Sequence, residues 1–393
     1  MNRSFWIIAL IAFANSLSFT ILIPILYLYG RQFGLNDFQT SLLFSTYAIA
    51  QFFATPVIGK LSDRFGRKPL LIISLAGTVI ANFFAGTATT VVILFLARFL
   101  DGITGGNSSV AQAVISDVTT PETRAKGFGI YGATFGLGFV LGPAISLLAQ
   151  QISLGAGFLV SSAIAFIALI ITIFFLPETL PTKAEKSHNI FDLGLSSLIT
   201  GLAIPKVGIL LIINFLIGTT FTIFTFAFQP YFLEVLGQSN KELTLMFFTF
   251  GVLGVLMQLQ GIKFLIRKFS LISILLFSVF VRSVSFTLMP IFPNVVYFVC
   301  VSIVFSLFNS LVQPMITTLI SLNAKPEMQG TVIGLNTSYL NVSNAFGPLI
   351  AGLLVNHNNP ATYSYPFYLA GGLTFAVLWF AIATRKQYMP NHQ

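Results

Sequence analysis

Polar breaks interrupt this chain so rarely that nearly every stretch between them is long and apolar enough to cross a bilayer. A helix crosses a hydrocarbon core of about 30 Å with about 20 apolar residues. Runs of that kind lie near 5–29, 41–62, 69–89, 91–116, 127–149 and 154–176, and near 207–232, 243–266, 270–291, 295–322, 328–356 and 365–385. Only 8% of the 393 residues are charged, against roughly a quarter in a soluble chain. Backbone groups in lipid must be bonded within their own segment, which the run lengths satisfy as helices. The fold class is therefore all-α membrane, with twelve spans. The first run is too long for a signal-peptide core and is expected to remain in the mature protein.

The basic residues orient the spans. Arg3, Lys60, Arg64, Arg67, Lys68, Arg124, Lys126, Lys183, Lys186, Lys206, Lys263, Arg267, Lys268, Lys325, Arg385 and Lys386 fall on one side, and only Arg31 and Lys241 on the other. Both termini are thus expected in the cytoplasm, for a protein of the cell (inner) membrane. The net charge of +9 follows from topology, so no nucleic-acid partner is expected. Cys300 is the single cysteine, and His188, His357 and His392 fall in polar breaks or the tail. That distribution argues against a metal, a cofactor or a histidine proton relay.

The longest break, 177–206, divides the chain into bundles 1–176 and 207–393 and reads as a cytoplasmic linker. The halves carry a repeat at an offset of 205 residues: Pro121-Glu122 answers Pro326-Glu327, Gly129 answers Gly334, and Gly142-Pro143 answers Gly347-Pro348. Two pseudo-symmetric six-helix bundles in parallel register follow.

The break after the second span reads GKLSDRFGRK, Gly59 to Lys68. Basic residues there satisfy the positive-inside rule, but that rule does not explain an acid among them. Asp63 lies near the start of the next helix, where its carboxylate can cap N–H groups. Gly59 would let a neighbouring helix approach closely. In these residues the chain resembles the major facilitator superfamily, and within it the twelve-span drug:proton antiporters of the tetracycline-exporter-like branch. The family pattern G-x-L-x-D-R-x-G-R-[KR] is matched at Gly59, Leu61, Asp63, Arg64, Gly66, Arg67 and Lys68. The resemblance implies the major facilitator fold and a cytoplasmic latch in which Asp63 and Arg67 pair with each other, with Asp117 and with the eleventh helix, joined by Arg124. The second-half counterpart, Gly261 to Lys268, has no acid.

The fifth span carries GLGFVLGP, small residues for tight packing with one proline. It is also similar to the antiporter signature of exporters in this superfamily. Gly138, Gly142 and Pro143, with Gly347 and Pro348 in the repeat, would then form a pliant hinge against the other half.

Arg98, Asp101, Gly105, Ser108 and Gln112 of the fourth span share one helical face. Asp101 lies about 15 Å from the outer end of the span. Either Arg98 and Asp101 neutralise each other at i,i+3 spacing, or Asp101 takes and releases the coupling proton. Arg282 also falls near mid-membrane. The tetracycline-exporter pattern has acids in this region and where this chain has Asn15, so Asp101 is expected to take over coupling, paired with Arg282. Alternatively, Arg98 and Arg282 make a cavity suited to an anion. The resemblance places spans 1, 4, 7 and 10 around a substrate cavity, which nominates Asn15, Ser18, Ser108, Gln112, Asn214, Phe221, Phe228, Gln229, Asn309 and Gln313. The 43 Phe residues are expected mostly against lipid.

The expected function is transport and not enzymatic catalysis: proton-coupled export of a small amphipathic compound by alternating access, by a monomer in the lipid bilayer. The alternative is an uncoupled facilitator or importer of an organic anion.

Overall fold

The computed structural model describes residues 3–180, 195–324 and 328–388. The twelve long helices are α1 (Arg3–Leu22), α2 (Asp37–Phe65), α3 (Arg67–Gly86), α4 (Val91–Thr104, resumed as Asn107–Val118), α5 (Pro121–Ala149), α6 (Leu154–Phe175), α7 (Val207–Pro230), α8 (Asn240–Leu256), α9 (Leu271–Leu288), α10 (Val295–Asn323), α11 (Gln329–Leu354) and α12 (Tyr365–Tyr388). Spans at eleven of these sites are long and apolar enough to cross a membrane. The twelfth, α11, has the length at 26 residues, but Asn336, Asn341, Ser343 and Asn344 make it more polar. This is an integral membrane protein of all-α fold.

The ends of the elements follow local chemistry. The first span stops at Leu22 and resumes at Leu26, because Pro24 can neither donate to the helix nor clear its preceding turn. Thr90 accepts a hydrogen bond from Ile93 N at 3.3 Å, which starts α4 one short turn after α3 ends. Between Thr104 and Asn107 α4 breaks at Gly105 and Gly106.

The chain forms two compact units. The first holds Met1–Gly34, Thr46–Gly194 and Thr244–Phe248; the second holds Leu35–Ser45, Leu195–Leu243 and Thr249–Gln393. Each unit thus takes in a short piece of a helix that otherwise belongs to the other. In the first, Gln150 Nε2 donates to Thr244 Oγ1 at 2.8 Å. In the second, Tyr363 Oη donates to Asp37 Oδ2 at 3.2 Å, and Phe44 meets Phe226 edge-on at 5.6 Å. Residues 181–194, which make up much of the anticipated linker, lie outside the described residues.

Within the first unit α1 packs on α5 and α6, and α3 on α6 and α4; within the second, α7 packs on α11 and α12, and α9 on α12 and α10. The two lists match helix for helix, as a parallel repeat requires. The first core gathers Phe5, Ile8, Leu71, Leu75, Val110 and Val114. In the second unit Phe224, Phe228, Phe286, Phe298, Phe305 and Phe367 are buried together, with centroids as close as 4.5 Å between Phe224 and Phe305. In this cluster phenylalanine holds helices to one another, while Phe83, Phe84, Phe174, Phe175 and Phe375 are among those exposed on the outside of the helices. Lipid tails are as apolar as the helices, so shape-matched aromatic contacts must supply the cohesion.

Candidate functional site

In the first unit Arg98 and Asp101 are 3% and 7% exposed. Arg98 Nη1 donates to Asp101 Oδ2 at 3.0 Å. The guanidinium also lies 4.5 Å from the centroid of the Tyr47 ring, a cation–π contact that strengthens away from water. Gly102 makes this possible: a Cβ there would collide with the Tyr47 carbonyl oxygen, so only glycine lets α2 come this close. Gln51 Nε2 then reaches both Tyr47 Oη at 3.1 Å and the Gly105 carbonyl at 3.0 Å, covering the acceptor exposed where α4 breaks. From α3, Thr78 and Asn82 lie beside the Asp101 carboxyl, and Asn82 Nδ2 donates to the Thr78 carbonyl at 3.0 Å. Asp101 is therefore enclosed by α2, α3 and α4, with one cation and two neutral polar side chains around it.

At the far end of α2, Arg67 (7% exposed) is held from three directions. Its Nη1 pairs with Asp63 at 2.5 Å and donates to Ser62 Oγ at 2.7 Å, and its Nε pairs with Asp117 at 3.0 Å. A further acid completes the cluster. Glu178 accepts from the backbone N–H groups of Arg67 at 2.9 Å and Lys68 at 3.2 Å, supplying from a distant loop the cap that α3 lacks locally. Burial pushes the Glu178 carboxyl up, but bonds from the backbone N–H groups of Leu180, Arg67, Lys68 and Thr179 outweigh it and hold the group below its ordinary value. Gly66, at φ 113°, turns the chain into this cap, and any Cβ on it would strike the Glu178 carboxylate.

The glycines of the fifth span serve a different contact from the one expected. Cβ atoms on Gly138 and Gly142 would collide with Ser16 and Thr20 of α1, and Thr20 Oγ1 donates to the Gly138 carbonyl at 2.8 Å. In the second unit a Cβ on Gly347 would collide with Thr222 of α7, and Thr222 Oγ1 donates to the Ser343 carbonyl at 2.9 Å. Gly138 and Ser343 stand 205 residues apart, so the motif is repeated in three dimensions. Gly138, Gly142 and Gly347 seat a helix of their own unit; Pro143 and Pro348 lie inside the same helices.

Residues 8–206 and 210–392 match the model of the Major Facilitator Superfamily. The chain belongs to this family. Its relatives include the class B tetracycline resistance protein of Escherichia coli, 28% identical over 92% of this chain and 90% of that one. Multidrug resistance protein 1 of Bacillus subtilis (strain 168) is 26% identical over 95% of each. The class E tetracycline resistance protein of Escherichia coli is 37% identical, over 46% of this chain and 45% of that one. Among solved structures, the human organic anion transporter MFSD10 superposes with a TM-score of 0.72 at 20% identity, covering 97% of this chain and 100% of that one. The nucleoside transporter NupG gives 0.74 at 14%, covering 98% and 100%. These likenesses show the major facilitator fold.

The anticipated Major Facilitator residues scatter in instructive ways. Asp63, Arg67 and Asp117 do come together, while Arg64 stands over the Phe65 ring at 5.3 Å instead. The side chain of Arg124 lies outside the described residues. Gly59 would tolerate a Cβ, 3.6 Å from Ser109 Oγ. Asn15, Ser108, Gln112, Phe221, Asn309 and Gln313 are half-buried. Ser18, Phe228 and Gln229 are buried: Ser18 exchanges bonds with Ser161 of α6 at 3.3 and 2.9 Å, and Phe228 stacks on Phe232. Asn214 is tied to Asn336 at 2.5 Å and receives Gln313 Nε2 at 2.9 Å. Within its own unit Asp101 pairs with Arg98, and within its own unit Arg282 bonds to the Ile217 carbonyl, Thr220 and Asn309.

Participants that escaped sequence reasoning include Tyr47, Gln51, Thr78, Asn82, Glu178 and Asn336. Glu178 carried a usable signal, an acid just past the end of a span. The others sit among ordinary span residues.

Proposed function

We propose that this chain is a proton-coupled secondary transporter that exports a small amphipathic compound by alternating access. The single observation that carries the reading is the Asp101 carboxyl, buried at membrane depth against Arg98, Tyr47, Thr78 and Asn82. A carboxyl in such a place can be ionised and paired, or neutral and bonded to Thr78 and Asn82. Protonation then frees Arg98 from its partner. Two such arrangements of one cluster are what a proton needs in order to bias a conformational equilibrium.

The Arg67 cluster serves as a cytoplasmic latch, fixing the junction of α2, α3 and α4 in one state. The relatives named for resistance to tetracycline and to many drugs support export of an amphipathic compound. The basic residues support an inner-membrane protein with both termini in the cytoplasm.

The test is flux in proteoliposomes under an imposed pH gradient, with tetracycline as the probe. Wild type accumulates probe against the gradient of protons, and Asp101→Asn equilibrates it at most. Accumulation that ignores both the gradient and the substitution refutes the proposal.

A further inference from the structure

Arg282 lies in the middle of α9 and is 1% exposed. Among the described residues no carboxylate lies within ion-pairing distance of it. The described acids of its unit, Asp37, Glu234 and Glu242, all stand near helix ends. The guanidinium is held by neutral groups alone. Nη2 donates to the Ile217 carbonyl at 2.7 Å and to Thr220 Oγ1 at 2.8 Å, and Nη1 donates to Asn309 Oδ1 at 3.2 Å. The Phe221 and Phe286 rings flank it at 5.7 and 5.1 Å, and its Nε has no acceptor among the described residues. A neutral side chain could pin the same helices without the desolvation cost of a charge. The charge is therefore retained for something outside this cluster.

Asn309 conveys where it acts. Arginine only donates, so the atom facing it must be the amide oxygen of Asn309. The Asn309 NH2 group is thereby turned away from the guanidinium, has no acceptor among the described residues and lies on a half-buried residue. One helical turn further along α10, Gln313 commits its Nε2 to Asn214 and leaves Oε1 open on the same face. Phe221 beside them is also half-buried. The open groups of this face are thus a donor backed by an uncompensated cation, an acceptor one turn away, and an aromatic wall.

We propose that this face binds an amphipathic organic anion. Its carboxylate or sulfonate accepts from Asn309 Nδ2, its aromatic body lies on Phe221, and a hydrogen-bond donor of the ligand meets Gln313 Oε1. Arg282 is the positioning residue: it orients Asn309 and supplies the positive field without touching the ligand. The inference rests on the transporter reading above and names the charge of what is carried.

The probes are 8-anilinonaphthalene-1-sulfonate and its neutral counterpart N-phenyl-1-naphthylamine, titrated by fluorescence into the full-length protein in nanodiscs with empty discs subtracted. Wild type binds the sulfonate about tenfold or more tighter than the amine, the effect of one charge-assisted hydrogen bond. Arg282→Gln brings that ratio to within about twofold and leaves amine binding unchanged, which a merely structural role would not do. If Arg282→Gln does not fold, Asn309→Ala reads the same loss of ratio. Asp101→Asn keeps the preference, so failure of proton coupling and failure of this site are told apart. Absence of an anion preference in wild type, or a preference that survives loss of Arg282 or of Asn309, overturns the proposal.

Discussion

Removing the charge of Asp101 while Arg98 stays in place separates the architectural cost of the pair from its use in transport. In Asp101→Leu the Arg98 guanidinium remains 3% exposed with no carboxylate, keeping only the Tyr47 ring at 4.5 Å. Breaking a buried pair from one side costs about 3–5 kcal/mol, while replacing both partners by apolar groups of similar volume is often neutral or stabilising by about 1–4 kcal/mol. The cation–π contact offsets about 0.5–2 kcal/mol of the single-mutant cost, leaving about 1–4.5 kcal/mol. Arg98→Met with Asp101→Leu should therefore recover most of that loss, giving a coupling energy of similar size in the double-mutant cycle. The assay is reversible denaturation of purified protein in mixed micelles, with pH-driven flux measured on the same preparations. The double variant is expected to be stable and uncoupled. If the two single variants lose nothing, the pair is not tightly desolvated. If the double variant still transports against the gradient, the pair is only a strut and the coupling account fails.

Other substitutions test neighbouring parts. Glu178→Gln weakens the start of α3 and lowers the melting temperature at neutral pH. Because the Glu178 carboxyl is held below its ordinary value, its stabilisation is full above the ordinary carboxylate range and is lost as pH falls through the depressed value. The melting-temperature gap between wild type and Glu178→Gln should accordingly close in acid, and a gap independent of pH would count against the cap. Gly142→Val and Gly347→Val each force apart a helix pair seated on a threonine, and both should lower yield and melting temperature, whereas Gly59→Ala should cost less than about 1 kcal/mol. Asn336→Leu leaves Asn214 at 0% exposure without one of its amide partners, a loss of about 1–3 kcal/mol readable by thermal melting.

The spans were legible because apolarity and length leave a chain in lipid few alternatives, and the break at Gly86–Thr90 was visible as a turn between two runs. The ion pairs of the loop were anticipated only through the family resemblance carried by Gly59 to Lys68. What escaped was direction around the helix axis. Gly138 and Gly142 looked like a surface offered to the other half, but they face Ser16 and Thr20, since a stripe of small residues does not say which neighbour it receives. The Arg98–Asp101 pair was legible as an i,i+3 spacing, but nothing in the sequence announced that Arg282 would turn its guanidinium onto the backbone of α7. Glu178 was passed over because its partners are backbone N–H groups, which no side-chain pattern announces.

The central claim is that one carboxyl exchanges a proton for substrate. The direct measurement is proton movement itself: proteoliposomes loaded with a pH-sensitive dye and held at zero membrane potential, to which an outward or inward gradient of transported compound is applied with no initial pH difference. Wild type should move protons opposite to the compound, and Asp101→Asn should move none while retaining passive binding. Compound flux without proton movement in wild type, or proton movement undiminished in Asp101→Asn, would contradict the account.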